Sequence, residues 1–295
     1  MNRIEITFKA VGLVICLLFV LFSSQNQLIE YSIFFVALTF LGIPHGAIDH
    51  LTSEPEISKK GFLTFLISYV SLIACYLISW IFFPIFSLIA FLLMSGYHFG
   101  QTHFINRPVQ KSAKALLYTS RGIFFLLLIL SGDFELTQEI LDPILNVSSL
   151  SQYLILILSG SLLLTIIVQW ISKVKFTRSD LFELLVLAPI LYFSPLMIGF
   201  IVYFSFWHAL PSMISEYKFL KRYPNYNTVK KFAAQLIPFS VISLIGIALI
   251  LILGMNYLNT SELILVFFIL ISLISFPHIL YMDRFWNKAT RTGRF

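Results

Sequence analysis

Six histidines are the chemistry-bearing residues of this chain: His45, His50, His98, His103, His208 and His278. They occur in "GIPHGAIDH" (42–50), "SGYHFGQTH" (95–103), "YFSFWHALPS" (203–212) and "SFPHILYMD" (275–283), all strongly apolar surroundings. Neutral imidazoles that converge from several helices are good ligands for iron, copper or zinc. A thiolate site is excluded, because the two cysteines, Cys16 and Cys75, each sit alone inside an apolar run. His45 and Asp49 are four residues apart, so on a regular helix they share a face. The carboxylate then holds the ring N–H of a liganding histidine or binds the metal itself. His45 and His50 are five apart, about 140° around a helix, as are His98 and His103. Each pair therefore offers one primary ligand and one peripheral histidine.

Other site classes fail on spacing. No glycine-rich loop ends in Lys-Ser/Thr, so a nucleotide site is absent. His45 is followed by Gly46, so the HExxH zinc-protease pattern is missing. The histidine boxes of di-iron membrane desaturases and hydroxylases need more histidines at closer spacing. A mononuclear site with open positions for O2 fits better. Tyr97, Phe99, Phe206 and Trp207 adjoin the histidines and are candidates to line a slot for a long apolar substrate.

The elements that position these residues must cross a membrane. Of 295 residues, 58% are hydrophobic, 16% aromatic and only 12% charged, with mean hydropathy +0.90. A soluble domain carries about 25% charged residues. The composition predicts an all-α, polytopic transmembrane bundle of about eight to ten spans, forming one integral membrane domain over 1–295. Candidate spans are 8–23, 31–49, 61–82, 85–103, 114–131, 150–171, 181–193, 195–212, 232–255 and 261–281. The first reads as a span and not a cleaved signal. The run 181–212 contains Pro189 and Pro195 and is too long for one crossing, so it turns back on itself. With ten alternating spans, all 20 Lys and Arg fall on one side, Arg121 being counted at the edge of segment 104–121. The positive-inside rule places that side, with both termini, in the cytoplasm, and the protein in the plasma (inner) membrane as a multi-pass chain. The net charge of +6 reflects these loops and not nucleic-acid binding. All six histidines then lie near the same side of the membrane at similar depth. Asp49 is the only carboxylate expected among them, with Asp283 at the edge.

The four motifs, in this order and at these intervals, resemble the bacteriorhodopsin-related (Brp/Blh) family of membrane β-carotene 15,15'-dioxygenases, across roughly residues 40–285. The resemblance implies cleavage of β-carotene by O2 at the central double bond, giving two all-trans-retinal, at a histidine-bound Fe(2+) site. It implies His45, His98 and His208 as ligands. The family often carries another histidine four residues after the third, and here that position is Ser212. His278 is the candidate fourth ligand, with Asp49, His50 and His103 as supporting or alternative groups. The partners implied are β-carotene, O2, the lipid bilayer and a retinal-binding rhodopsin. The competing readings are another membrane enzyme acting on carotenoids or lipids, and a transporter or binding protein without chemistry. A retinal-linked protein needs a lysine in mid-span, and every lysine here lies in a loop or at a span end.

Overall fold

The computed structural model describes residues 3–22, 26–105 and 107–291. Its secondary structure is all helical, with no strand among the described residues. The helices run α1 (Arg3–Phe22), α2 (Gln27–Ala37), α3 (Asp49–Ser53), α4 (Lys59–Phe82), α5 (Pro84–His103), α6 (Lys111–Gly132) and α7 (Phe134–Leu141). They continue as α8 (Leu154–Ile171), α9 (Arg178–Phe182), α10 (Ala188–Tyr192), α11 (Leu196–Val202), α12 (Leu210–Leu220), α13 (Val229–Gly254) and α14 (Thr260–Arg291). Eight helical segments are long and apolar enough to cross a membrane. In lipid every backbone N–H and C=O must pair within its own segment, so apolar runs of this length settle into helices. Their polar entrances are capped. Asn26 accepts from the amides of Leu28 and Ile29, Ser58 from Gly61, and Thr228 from Lys231.

The turn-back in 181–212 is present. α10 ends at Tyr192, and α11 begins after Pro195, whose fixed φ suits a helix entry. The segment Leu196–Leu220 is 83% buried, whereas α1, α8 and α13 are 17% buried over their most apolar windows. Such sparsely buried apolar helices suit a lipid surroundings and no aqueous one.

Several stretches depart from α geometry. Leu38–Gly42, Glu183–Leu187 and Tyr203–Ala209 are π-helical, and Pro44–Gly46 is a turn of 3-10 helix. π-bulges concentrate at functional sites, because the extra residue re-aims the side chains that follow. The expectation that His45 and Asp49 share one helix face fails for this reason. The backbone between them passes through the 3-10 turn, and α3 begins only at Asp49.

Contacts divide the chain into two compact units, Met1–Leu38 with Leu92–Pro211, and Thr39–Phe91 with Ser212–Phe295. In the first, α6 packs against α8 and α10, and α1 and α2 pack against α11. The end of α5 crosses α6 so closely that only glycine fits. A Cβ at Gly100 would land on the carbonyl of Tyr118, and one at Gly122 on the carbonyl of Gly96. This crossing fixes the height of His98. In the second unit, α14 packs against α3, α4 and α13, and α13 also meets the 3-10 turn. Trp80 Nε1–H donates to Ser272 Oγ at 2.9 Å and Tyr76 O–H to the Ser87 carbonyl at 2.8 Å, which pins α4 within this unit.

Gly100→Ala and Gly122→Ala are expected to abolish recovery of folded protein after detergent extraction, because backbone has no room to yield. Gly160→Ala and Gly246→Ala, where nothing lies within 4 Å of the new Cβ, are expected to be neutral or to stabilise by up to about 1 kcal/mol through helix propensity. Yield and melting temperature of the four variants check both statements.

Candidate metal centre

Each unit holds a pair of histidines. In the first, His98 on α5 and His208 in the Tyr203–Ala209 π segment are 2% and 0% exposed. Their ring centroids lie 4.5 Å apart at 71°, and each offers a nitrogen within 4.8 Å of the other's. Gln101 sits one turn beyond His98, and its side-chain oxygen accepts from His98 Nδ1–H at 3.0 Å. Phe99 lies against the His208 ring at 4.6 Å, and Phe204 stacks on it at 5.7 Å.

In the second unit, His45 and His278 are 6% and 3% exposed, with ring centroids 4.7 Å apart at 84°. His45 Nδ1–H donates to the carbonyl of Gly42, the last residue of the first π segment. His278 Nδ1–H donates to both oxygens of Asp49, at 2.9 and 3.0 Å. Tyr69 O–H donates to Asp49 Oδ2 at 3.1 Å and stands 3.3 Å from the Ile274 carbonyl. Asp49 thus serves His278 and not His45. Gly46 makes room for this, since a Cβ there would lie 3.2 Å from His278 Nδ1.

One chemical pattern runs through three of the four rings. His45, His98 and His278 each spend Nδ1 on an oxygen that can only accept, or on an amide oxygen. This fixes the Nδ1–H tautomer and puts the lone pair on Nε2. It is the arrangement that metal-binding histidines adopt, with an outer oxygen holding the ring and raising its basicity. The donor set fits a borderline metal such as ferrous iron. No ion is present.

The other two histidines are engaged elsewhere. His50 is surrounded by the rings of Phe62, Phe65 and Phe239 at 5.4–5.8 Å. His103 uses both nitrogens within the first unit: Nδ1 is 2.7 Å from Glu183 Oε2 and Nε2 accepts from the Tyr203 hydroxyl at 2.9 Å. Glu183 opens the second π segment and is 4% exposed. Behind it lies Arg121, fully buried, paired with Gln169 and 3.5 Å from Asp180. Arg107 reaches Asp180 at 2.8 Å from the surface.

Two expectations are corrected here. Arg121 is no loop charge but an interior residue of α6. Asp49 is not the only carboxylate among the histidines, because Glu183 binds His103. Glu216 was also missed. It is 0% exposed, and neither of its oxygens has a hydrogen-bond partner among the described residues. It lies four residues after Ser212, itself 0% exposed. A lone carboxylate in the segment 210–220, two four-residue helical steps after His208, was the signal available.

Of the four candidate substrate-lining aromatics, Phe99 lies against a paired histidine, His208. Tyr97 packs on Tyr118 at 5.8 Å. Phe206 lies against α1, where Gly12 leaves room for its ring. Trp207 sits beneath the Lys9 ammonium at 5.4 Å.

Comparison with known proteins bears on what these pairs serve. No solved structure matches the chain. A curated β-carotene 15,15'-dioxygenase from an uncultured marine bacterium, 66A03, is 36% identical over 75 residues. That stretch is 24% of this chain and 27% of the relative, so the match spans about a quarter of the curated protein's length. The family model for beta-carotene 15,15'-dioxygenase matches residues 36–286, a range that takes in all six histidines. The chain belongs to the beta-carotene 15,15'-dioxygenase family.

Proposed function

We propose that this chain cleaves β-carotene with O2 at the central 15,15' double bond, giving two all-trans-retinal, on ferrous iron bound by His45, His98, His208 and His278. The family match over residues 36–286 carries this reading. The stoichiometry closes without another reductant: one oxygen atom of O2 goes to each new aldehyde as the carbon–carbon double bond is broken. Ferrous iron, when bound, supplies the spin and redox chemistry that lets O2 react with a polyene. Gly42, Gln101 and Asp49 hold their imidazoles in the tautomer that presents Nε2. The apolar shell of Phe99 and Phe204 around His208 keeps water from that ring. A C40 hydrocarbon dissolves in lipid and not in water, which suits a chain with eight membrane-crossing segments. The inner membrane is the proposed location, and a retinal-binding rhodopsin the proposed consumer of the product.

The test is expression in a bacterial strain that accumulates β-carotene, followed by chromatography of the extract. Retinal is expected to appear as the carotene is lost. Unchanged carotene, with the iron-supplied protein verified in the membrane, overturns the reading.

His45→Ala, His98→Ala, His208→Ala and His278→Ala are each expected to remove detectable retinal formation and to lower bound iron, measured by metal analysis of the purified protein. Ser212→Ala is expected to change activity by less than about twofold, since iron bound by these four histidines takes no ligand from it. Gly46→Ala pushes a methyl against His278 Nδ1, and Asp49→Asn weakens the acceptor that holds it. Each is expected to lower iron affinity by roughly 10- to 100-fold, the range seen when an outer partner of a ligand is lost. Iron titration of apoprotein measures this apart from turnover.

A further inference from the structure

The second unit contains a cavity of about 220 Å³ that the histidines themselves do not fill. Gly46 and Asp49, one and four residues after His45 in the chain, form part of its wall. From there it follows α4, lined by Phe65, Tyr69 and Ile73, with α13 on the other side. Eight residues of helix separate Phe65 from Ile73, about 12 Å at 1.5 Å per residue. Val70 and Ile242 also line it and are 53% and 66% exposed. On a membrane-crossing helix such side chains face lipid, so the mouth opens toward the hydrocarbon.

The chemistry of the walls selects the occupant. The polar groups at the inner end are spent on one another, with Asp49 accepting from His278 and from Tyr69. Apart from His50 and Ser243, the rest of the lining is hydrocarbon. The volume is below the roughly 300–1,000 Å³ of pockets that hold an entire drug-sized ligand. A C40 molecule exceeds it, and a portion of one does not. The occupant is therefore apolar, extended and partial, and it reaches the cavity through lipid.

We infer that this cavity receives one arm of the polyene substrate, admitted from the bilayer between α4 and α13, with the arm's inner end beside the His45–His278 pair. The inference rests on the carotene-cleavage reading above. The rival occupant is the acyl chain of a membrane lipid, which would plug the same space without reference to substrate.

Val70→Trp and Ile242→Trp place bulk at the mouth, where exposed positions tolerate it. Ile67→Trp is the control, 60% exposed on the same helix and outside the cavity. Each purified protein is assayed on β-carotene and on an apocarotenal that has one arm truncated and can enter short arm first. The readout is the ratio of the two kcat/KM values. Both mouth variants are expected to shift it at least tenfold toward the truncated carotenoid, with Ile67→Trp unchanged. An unshifted ratio overturns the arm assignment, whether both rates fall together or neither falls. The second pattern is what a lipid-filled cavity gives. An unsubstituted chain that converts neither carotenoid overturns the cleavage reading itself, and the arm assignment with it.

Discussion

An imidazole buried in hydrocarbon must account for its N–H, and the rest of this structure follows from how that is done. An unpaired polar group in such surroundings costs several kcal/mol. Gly42 answers for His45, Gln101 for His98, and Asp49 for His278. Each answer fixes a tautomer, and each tautomer directs Nε2. The same accounting explains the glycines. Gly46 exists because His278 must come close enough to reach Asp49. Gly100 and Gly122 exist because α5 must lie against α6 at the level of His98.

The second buried system, His103 with Glu183, Tyr203 and the arginines behind them, obeys the same rule with a different outcome. Here the imidazole is satisfied on both nitrogens, which leaves no lone pair to offer. Two histidines five residues apart on one helix are thereby separated in role, one held through Nδ1 by Gln101 and the other fully enclosed in a polar network. Burying two carboxylates and an arginine is expensive unless the partners are all present. A network of this kind is a device for rigidity, and it holds the π segment that begins at Glu183 close to the one that begins at Tyr203.

Much of this was legible in the residues. The apolar runs mark most helix starts to within a few residues, while α12 and α14 run on well past the expected ends at 212 and 281; Pro189 and Pro195 mark the turn-back, because hydrocarbon length and proline geometry leave little choice. The charged residues that escaped the pattern are the informative ones. Arg121 reads as a loop cation by position, and only its tertiary neighbours Gln169 and Asp180 explain its burial. The pairing of Asp49 with His278 spans 229 residues, which no local period reports. His45 and Asp49 look like helical neighbours, yet the 3-10 turn at Pro44 rotates them apart. The π segments are equally silent in sequence, since they change the hydrogen-bond register and not the apolar pattern. Phe206 and Trp207 stand next to a histidine in the chain but pack toward α1, because adjacent residues on a helix point in different directions.

The π segment at Tyr203–Ala209 has a consequence for descent. A π-bulge is one residue inserted into an α-helix, retained without breaking it. Deleting a single residue there would restore regular α geometry and swing every side chain on its far side by about 100°. His208 would then leave the ring of His98. The length of this short stretch is thus under the same restraint as the identity of its histidine. Gaps and insertions among relatives should be scarce here even where the letters drift.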